Sequence, residues 1–260
     1  MTPRFSILLP IHRPPVLLPY AVETVLGQSE ADWELFIICD GAPEATAEAA
    51  RAFAAADPRI TACVFPKGER FGEAYRHEVL QGARGDFVCQ IADDDLWLRH
   101  HLREMAALLE SVEFGALTAV EIYPDRPWTH SVYRLEDQAV RERMLRERFN
   151  FFGPSDVGYR MSTYRRLPVG WAPAPPDIWT DLHMWRKFLA LDPILVGSRT
   201  TIQTVHMADA LRVGMDLADR EAETLKWMER IRRGLRFDLT IEDGPGGPRI
   251  TNGRLAYDEA

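Results

Sequence analysis

The stretch Ile91-Ala92-Asp93-Asp94-Asp95-Leu96-Trp97 places three carboxylates at the end of an apolar run. The residues before it, Asp86 to Ala92, follow Gly85 and predict a buried strand. Three adjacent carboxylates repel one another, which indicates a ligand or a hard cation such as Mg²⁺ or Mn²⁺ bound by their oxygens. The alternative is that the acids cap a helix starting at Leu96, although one aspartate would suffice for that.

Around this stretch, short apolar runs alternate with amphipathic ones, which predicts an α/β fold with a largely parallel central sheet and crossover helices. Ligands bind beyond the carboxyl ends of such strands, so the three acids lie where a site is expected. Asp40 ends another apolar run and is followed by Gly41. It predicts either a hydrogen-bond acceptor for a base or ribose, or an ordinary Asp-Gly turn.

The alternation is lost beyond Pro124, and the segment from Pro168 to Pro176 is rich in proline. We therefore divide the chain into residues 1–123, a less regular half over 124–240, and a flexible tail over 241–260 that is rich in glycine and proline. In the second half we expect helices at 135–149, 180–191 and 217–235.

Composition limits the function classes. The 260 residues carry a formal net charge of −8, which argues against binding to nucleic acid. No apolar run approaches the roughly 18 residues that a membrane span needs, and the N-terminus does not resemble a signal peptide. Cys39, Cys63 and Cys89 lie in apolar runs without metal-site spacing, so we expect free thiols and a cytoplasmic location.

Five motifs occur in order over roughly the first hundred residues, and together they resemble the inverting glycosyltransferases of family 2, which have the GT-A fold, a Rossmann-like nucleotide-sugar-binding domain. The motifs are Phe5-Ser6-Ile7-Leu8-Leu9-Pro10, Thr24-Val25-Leu26-Gly27-Gln28-Ser29, Trp33-Glu34-Leu35 leading to Asp40-Gly41, Gly72 to Arg76, and Gly85-Asp86 through Asp95.

The resemblance implies a nucleotide-sugar site. Pro10 and Ile11, with His12 beside them, would line the nucleotide pocket, and Asp40 would approach uracil or another base. Arg76 would lie close to the diphosphate, whereas without the resemblance it reads as a solvated helix charge.

The sequence also departs from the family pattern. Cys39 stands where many members have an acid, Ala42 replaces a common serine, and His12-Arg13 replaces a Tyr-Asn pair.

The resemblance also implies a divalent metal, Mn²⁺ or Mg²⁺. Aligning on Leu96-Trp97 makes Asp94 the direct ligand and leaves Asp93 facing the ribose. A plain Asp-X-Asp alignment instead uses Asp93 and Asp95, so all three acids stay in the predicted site. His206 resembles a histidine that some members add as a metal ligand, while a structural or exposed histidine is the alternative.

Asp181, in Trp179-Thr180-Asp181-Leu182, resembles the acid at the start of a helix that serves as the family's catalytic base. Such a carboxylate accepts the proton of an acceptor hydroxyl. A helix-capping role is the alternative, because a Thr-Asp pair also suits a helix start.

The resemblance, carried by these residues, implies a metal-dependent inverting glycosyltransferase. The donor would be a nucleotide-diphosphate sugar, with UDP as the expected nucleotide. The acceptor would be a saccharide, a lipid-linked sugar or another hydroxyl compound in polysaccharide or glycoconjugate synthesis. A nucleotidyltransferase is a rival interpretation, although the loop Ile11 to Pro15 lacks the glycines that cradle a triphosphate. A nucleotide-binding module without activity is another.

An arginine-rich helix in the second half contains Arg141, Arg143, Arg146 and Arg148 interleaved with Glu142 and Glu147. Such alternation is typical of a solvated face, and contact with an anionic acceptor or with a membrane surface is the alternative.

Overall fold

A single twisted sheet forms the centre of the protein in the computed structural model, which describes residues 2–125, 129–130, 132–244 and 247–258. Its strands are β1 (Phe5–Ile11), β2 (Trp33–Asp40), β3 (Ile60–Phe65), β4 (Phe87–Gln90), β5 (Leu96–Trp97), β6 (Phe114–Glu121), β7 (Thr129–His130), β8 (Val157–Arg160) and β9 (Val196–His206). They lie in the order β3-β2-β1-β4-β8-β6-β9-β5, and β7 pairs with β6.

Strands β1, β2, β3, β4, β6 and β9 run in one direction, while β8, β7 and β5 are antiparallel to their neighbours. The predicted α/β fold with a largely parallel sheet is thus confirmed. Because parallel strands end at the same edge, the C-terminal residues of β1, β2, β4 and β9 all lie along one side of the sheet. The predicted residues that end or follow these strands therefore lie at this edge.

The helices cover the two faces of the sheet. They are α1 (Leu18–Leu26), α2 (Glu44–Ala56), α3 (Glu73–Gly82), α4 (His101–Leu109), α5 (Gln138–Arg146), α6 (Met161–Tyr164), α7 (Thr180–Leu189) and α8 (Leu217–Arg232), with short 3₁₀ helices at Pro154–Asp156 and Asp209–Leu211. No helix in the described part of the chain is long and apolar enough to cross a membrane.

Alternate side chains of β1 pack into different cores. Ile7 and Leu9 pack with α1 and α4 on one face, whereas Leu8 packs with α3 and α7 on the other. This follows from the two-residue period of a strand, and it explains why β1 reads as an unbroken apolar run. The sheet is therefore covered on both faces, which leaves its edges as the places where a ligand can reach the backbone.

The secondary structure after the three acids differs from the prediction. The pattern Leu98 to Val112 predicts a helix, but Leu96 and Trp97 form β5, paired with β9, and α4 begins only at His101. Trp97 is fully buried, and its side chain packs in the hydrophobic core against the sheet. The three acids are thus separated from α4 and do not cap it.

The end of the chain also differs from the prediction. Residues 241–260 are predicted to be a flexible tail, but β10 (Leu235–Gly244) and β11 (Gly247–Tyr257) form an antiparallel two-stranded sheet. Phe237 and Leu255 of this hairpin pack against a core that contains Trp227 and Met228 of α8. The prediction was based on the glycine and proline content of this segment, whereas its apolar residues allow it to form a hairpin that packs on the core.

Candidate active site

A cavity of about 570 Å³ opens at the carboxyl edge of β1, β2 and β4. Residues from distant parts of the chain line it, including the seven predicted for the nucleotide-sugar site and the catalytic base: Pro10, Ile11, His12, Asp40, Arg76, Asp93 and Asp181. The structure therefore brings the predicted nucleotide-sugar residues and the predicted base to one cavity. Asp94, Asp95 and His206 do not line it, and His206 instead lines a second cavity of about 360 Å³.

Asp40 ends β2 and is almost fully buried. Its carboxylate accepts hydrogen bonds from Lys67 Nζ at 2.5 Å and from the backbone N–H of Gly68 at 2.6 Å. Gly41 has φ +60°, which agrees with the turn alternative, while contact of Asp40 with a base or ribose stays a prediction. A carboxylate has further acceptor capacity, so Asp40 can still bind a ligand.

Arg76 lies in α3 and is only 5% exposed, which excludes the solvated-charge interpretation. Its guanidinium lies over the ring of Trp171, 5.0 Å from the centroid. Nε and Nη1 are buried and have no hydrogen-bond partner among the described residues. Burial lowers the pKa of Arg76, opposed by the charges of Glu73 and Asp40, yet a guanidinium stays protonated. A buried cation with free donors is a ready binding site for an anionic group.

Asp93 and Asp94 follow β4 and are bound to arginines. Arg13 donates to both oxygens of Asp93, at 2.6 and 2.8 Å, and its Nη2 lies 3.1 Å from Asp94 Oδ1. Arg220 of α8 donates to Asp94 Oδ2 at 2.9 Å. Burial and the neighbouring carboxylates raise the pKa of Asp94 to about 7, although Arg13 opposes this. The first two acids are thus charge-compensated from two distant segments.

Asp95 is completely buried and pairs with His206 at the end of β9. His206 Nδ1 lies 2.8 Å from Asp95 Oδ1, Ser155 donates to Oδ2 at 2.5 Å, and the backbone N–H of Met207 donates to Oδ1 at 3.0 Å. Burial acts against the ionised forms, but the pair overcomes it and raises the pKa of His206 to about 10. His206 is therefore neither isolated nor freely exposed.

Within the described residues, no three His, Cys, Asp or Glu side chains have the arrangement of a preformed metal site. Asp95 contacts the imidazole of His206, while Asp94, the residue before Asp95, contacts Arg13 and Arg220. Carboxylate and imidazole donors suit Mn²⁺, and carboxylates suit Mg²⁺. The donor set thus fits such a cation in its chemistry, provided that the side chains exchange their present partners.

Asp181 lies in the first turn of α7, where Oδ1 accepts from the N–H of Leu182 at 2.8 Å. Oδ2 accepts from Asn150 Nδ2 at 2.8 Å. Burial raises the pKa of Asp181, opposed by the donors Leu182 and Asn150. The local helix-start role and an orientation toward the cavity are therefore both present, and a raised pKa suits a group that accepts a proton.

The sequence analysis did not assign roles to Asn150, Asp209 and Arg220, and it treated Arg13 only as a departure from a pattern. Asn150 holds Asp181, and Asp209 accepts from Arg13 at 2.6 Å. No local spacing connects these residues, because the contacts join segments far apart in the chain. The only signal for Arg13 is its position directly after the end of β1.

The start of α3, the helix that contains Arg76, depends on Gly72, which precedes the helix with φ +66°. A Cβ atom there would lie 2.6 Å from Asp40 Cγ. We expect Gly72→Ala to lower the free energy of unfolding by about 1–3 kcal/mol, because it combines left-handed strain with this clash. Urea denaturation measures the change.

Gly82→Ala, at the other end of α3, is the matched control, because a Cβ atom there would meet nothing within 4 Å. We expect its stability to change by no more than about 0.5 kcal/mol. Equal stability of the two variants would contradict the proposed strain at Gly72.

The fold and the site together define an α/β domain with a cavity at the carboxyl edge of its sheet, lined by the buried Arg76 and by Asp40, Asp93 and Asp181. Residues 6–169 match the profile of glycosyl transferase family 2. The chain belongs to this family, and the fold that the sequence motifs imply agrees with the match.

Similar proteins are found among both protein sequences and solved structures. A putative glycosyltransferase, EpsE of Bacillus subtilis, is 28% identical over 109 residues, which cover 42% of this chain and 39% of EpsE. The mannosyltransferase PcManGT from Pyrobaculum calidifontis, solved in complex with GDP-Man and Mn²⁺, matches with a TM-score of 0.58 at 18% identity. The match covers 91% of this chain and 66% of the PcManGT chain.

TarS 1-349 of S. aureus, solved in complex with UDP-GlcNAc, has a TM-score of 0.59 at 13% identity. That match covers 88% of this chain and 66% of TarS 1-349. At these identities the structural likeness concerns the fold. The matched region spans about two fifths of EpsE.

Proposed function

We propose that this chain transfers a sugar from a nucleotide-diphosphate sugar to a hydroxyl group of an acceptor and inverts the anomeric carbon. The observation that carries the proposal is that one cavity is lined by both the unpaired guanidinium of Arg76 and the carboxylate of Asp181. A departing diphosphate requires positive charge, and an attacking hydroxyl requires a base.

The nucleoside end of the donor is assigned to the edge formed by β1 and β2. Pro10, Ile11 and His12 line this part of the cavity, and Asp40 accepts a hydrogen bond from the base. Asp93 is assigned to the ribose. We propose a uridine nucleotide, which the UDP-GlcNAc complex of TarS 1-349 supports. Because PcManGT was solved with GDP-Man, a guanosine nucleotide is the alternative to test.

Asp94, Asp95 and His206 would hold a divalent cation, Mn²⁺ or Mg²⁺. When bound, the cation supplies positive charge to the diphosphate as the bond to the sugar breaks. The Mn²⁺ in the PcManGT complex supports this assignment. The donor set of two carboxylates and an imidazole is consistent with it.

The chain's own residues carry the rest of the reaction. Asp181 removes the proton of the acceptor hydroxyl while that oxygen attacks the anomeric carbon from the side opposite the diphosphate. The bond between the anomeric carbon and the diphosphate oxygen breaks, and the nucleoside diphosphate leaves. Arg76 stabilises the charge on the leaving group, and Asn150 holds Asp181 in place.

Residues 124–240 are assigned to acceptor binding, since this half supplies Asp181 and its neighbour Trp179. The Trp179 side chain lines the same cavity and is 44% exposed, which gives a flat apolar surface for a sugar ring. We therefore propose a saccharide or lipid-linked sugar acceptor, in polysaccharide or glycoconjugate synthesis. The free thiols Cys39, Cys63 and Cys89 favour the reducing cytoplasm as the place of reaction.

The test is a thermal-shift screen of nucleoside diphosphates and nucleotide sugars with and without Mn²⁺, followed by product analysis with the best donor. We expect a nucleoside diphosphate to raise Tm more with Mn²⁺ than without it, and the reaction to release nucleoside diphosphate. Release of pyrophosphate would support a nucleotidyltransferase instead. Binding without turnover across a broad acceptor panel would support a silent binding module.

The raised pKa of Asp181 predicts the pH dependence of turnover. The ionised carboxylate is the active form, so kcat falls as pH falls through that pKa. At saturating donor and Mn²⁺ we expect the acidic limb of the kcat profile to have its midpoint above about 3.9, the ordinary value for aspartate. A kcat that stays constant down to that pH would contradict a buried Asp181 base.

A further inference from the structure

Arg13 joins three segments of the chain through one guanidinium. It follows β1, and it contacts Asp93 and Asp94 after β4 and Asp209 after β9. Its Nη1 lies 2.6 Å from both oxygens of Asp209. The side chains of Arg13, Asp93 and Asp94 are only 16%, 6% and 8% exposed, so the ion pairs among them are shielded from water, whereas Asp209 is 53% exposed. Arg220 completes the network by donating to both Asp94 and Asp209.

Both oxygens of Asp94 are occupied in this arrangement. Oδ1 lies 3.1 Å from Arg13 Nη2, and Oδ2 accepts from Arg220 Nη2 at 2.9 Å. A cation that takes Asp94 as a ligand must therefore displace at least one guanidinium. Asp93 is held in the same way, because Arg13 donates to both of its oxygens.

The charges indicate when that displacement is favourable. At pH 8, with Asp93, Asp94 and Asp209 all ionised, these three carboxylates and the two guanidiniums leave one uncompensated negative charge. A divalent cation alone converts this into a positive excess in a poorly hydrated site, which costs free energy. A diphosphate brings the missing negative charge and offers phosphate oxygens to a released guanidinium, a pairing that arginine forms well.

We propose that Arg13, supported by Arg220, acts as an internal counter-cation of the acidic cluster, so that the divalent metal binds tightly only together with the nucleoside diphosphate. The inference rests on the proposed function. Since coupling between two ligands is reciprocal, each ligand then raises the affinity for the other. Arg13 sets the size of this coupling.

The experiment measures binding by calorimetry at pH 8 with the full chain and three probes: Mn²⁺ alone, UDP alone, and Mn²⁺ in the presence of UDP. Arg13→Gln removes the counter-cation and leaves the three carboxylates in place. We expect its affinity for Mn²⁺ alone to rise about tenfold or more, and the gain in Mn²⁺ affinity on adding UDP to shrink. Mn²⁺ alone should also raise its Tm more than that of the natural chain.

Arg51→Gln is the matched control, because it removes the same charge from an exposed ion pair with Glu44 away from the cavity. We expect it to bind Mn²⁺ like the natural chain. Arg220→Gln, which frees the other oxygen of Asp94, is the second variant and the replacement if Arg13→Gln does not fold. We expect a change in the same direction.

Two outcomes would overturn the inference. Unchanged or weaker Mn²⁺ affinity in the folded arginine variants, with the natural chain still binding Mn²⁺ and UDP together, refutes the counter-cation role and leaves the proposed function intact. A natural chain that binds no Mn²⁺ even with UDP present refutes the inference together with the metal assignment.

Discussion

Replacement of Asp181 by asparagine is expected to lower kcat by about 10²–10⁴-fold, the usual contribution of a general base. Asparagine keeps the shape of the side chain and can still accept from the N–H of Leu182, but it cannot take a proton at neutral pH. Because Asp181 acts on the acceptor hydroxyl, the affinity for the nucleoside diphosphate should hardly change. Steady-state kinetics and calorimetric binding of the diphosphate measure the two effects.

Asp177→Asn is the control for this variant, since Asp177 is exposed in the loop just before α7. It removes the same charge, and we expect kcat to stay within about twofold, as for most surface substitutions without a role. Turnover of Asp181→Asn at the rate of the natural chain would rule out Asp181 as the base. Loss of diphosphate binding would instead assign it to the donor.

Replacement of Asp94 by asparagine is expected to lower kcat with Mn²⁺ by about 100-fold or more, because the cation loses a charged ligand next to the leaving group. Raising the Mn²⁺ concentration should restore part of the activity if the loss comes from metal binding. Activity measured over a range of Mn²⁺ concentrations separates a weaker metal affinity from a slower chemical step.

Asp86→Asn serves as the control for Asp94→Asn, because exposed Asp86 lies just before the opposite end of β4 and carries the same charge. We expect it to have the activity and Mn²⁺ dependence of the natural chain. If Asp94→Asn keeps full turnover at every Mn²⁺ concentration, the metal role of Asp94 is refuted.

The sequence predicts most strands of the first half because their signal is local, but it predicts no strand at β7, β8 or β9. Continuous apolar runs at Phe5–Ile11 and Trp33–Asp40 form buried parallel strands, and the acids after β4 lie at the predicted carboxyl edge. The short strand β5 was missed, because two residues, Leu96 and Trp97, carry no period that distinguishes a strand from a helix.

The sequence predicted only those residues of the candidate site that lie within a short continuous motif. Asp40, Arg76 and Asp93 lie within such motifs, and the structure brings them to one cavity. The contacts among other residues of the site are not local. Arg13 meets Asp209, and Asn150 meets Asp181, through tertiary contacts that no sequence spacing reveals.

The most direct test of the account is a crystal structure of the chain with Mn²⁺ and the nucleoside diphosphate that raises Tm most. The account predicts that the phosphates lie against Arg76, that the cation binds Asp94, and that Asp181 faces the position of the missing sugar. A diphosphate bound outside this cavity, with Arg13 and Arg220 still paired to Asp94, would contradict the proposed glycosyl transfer.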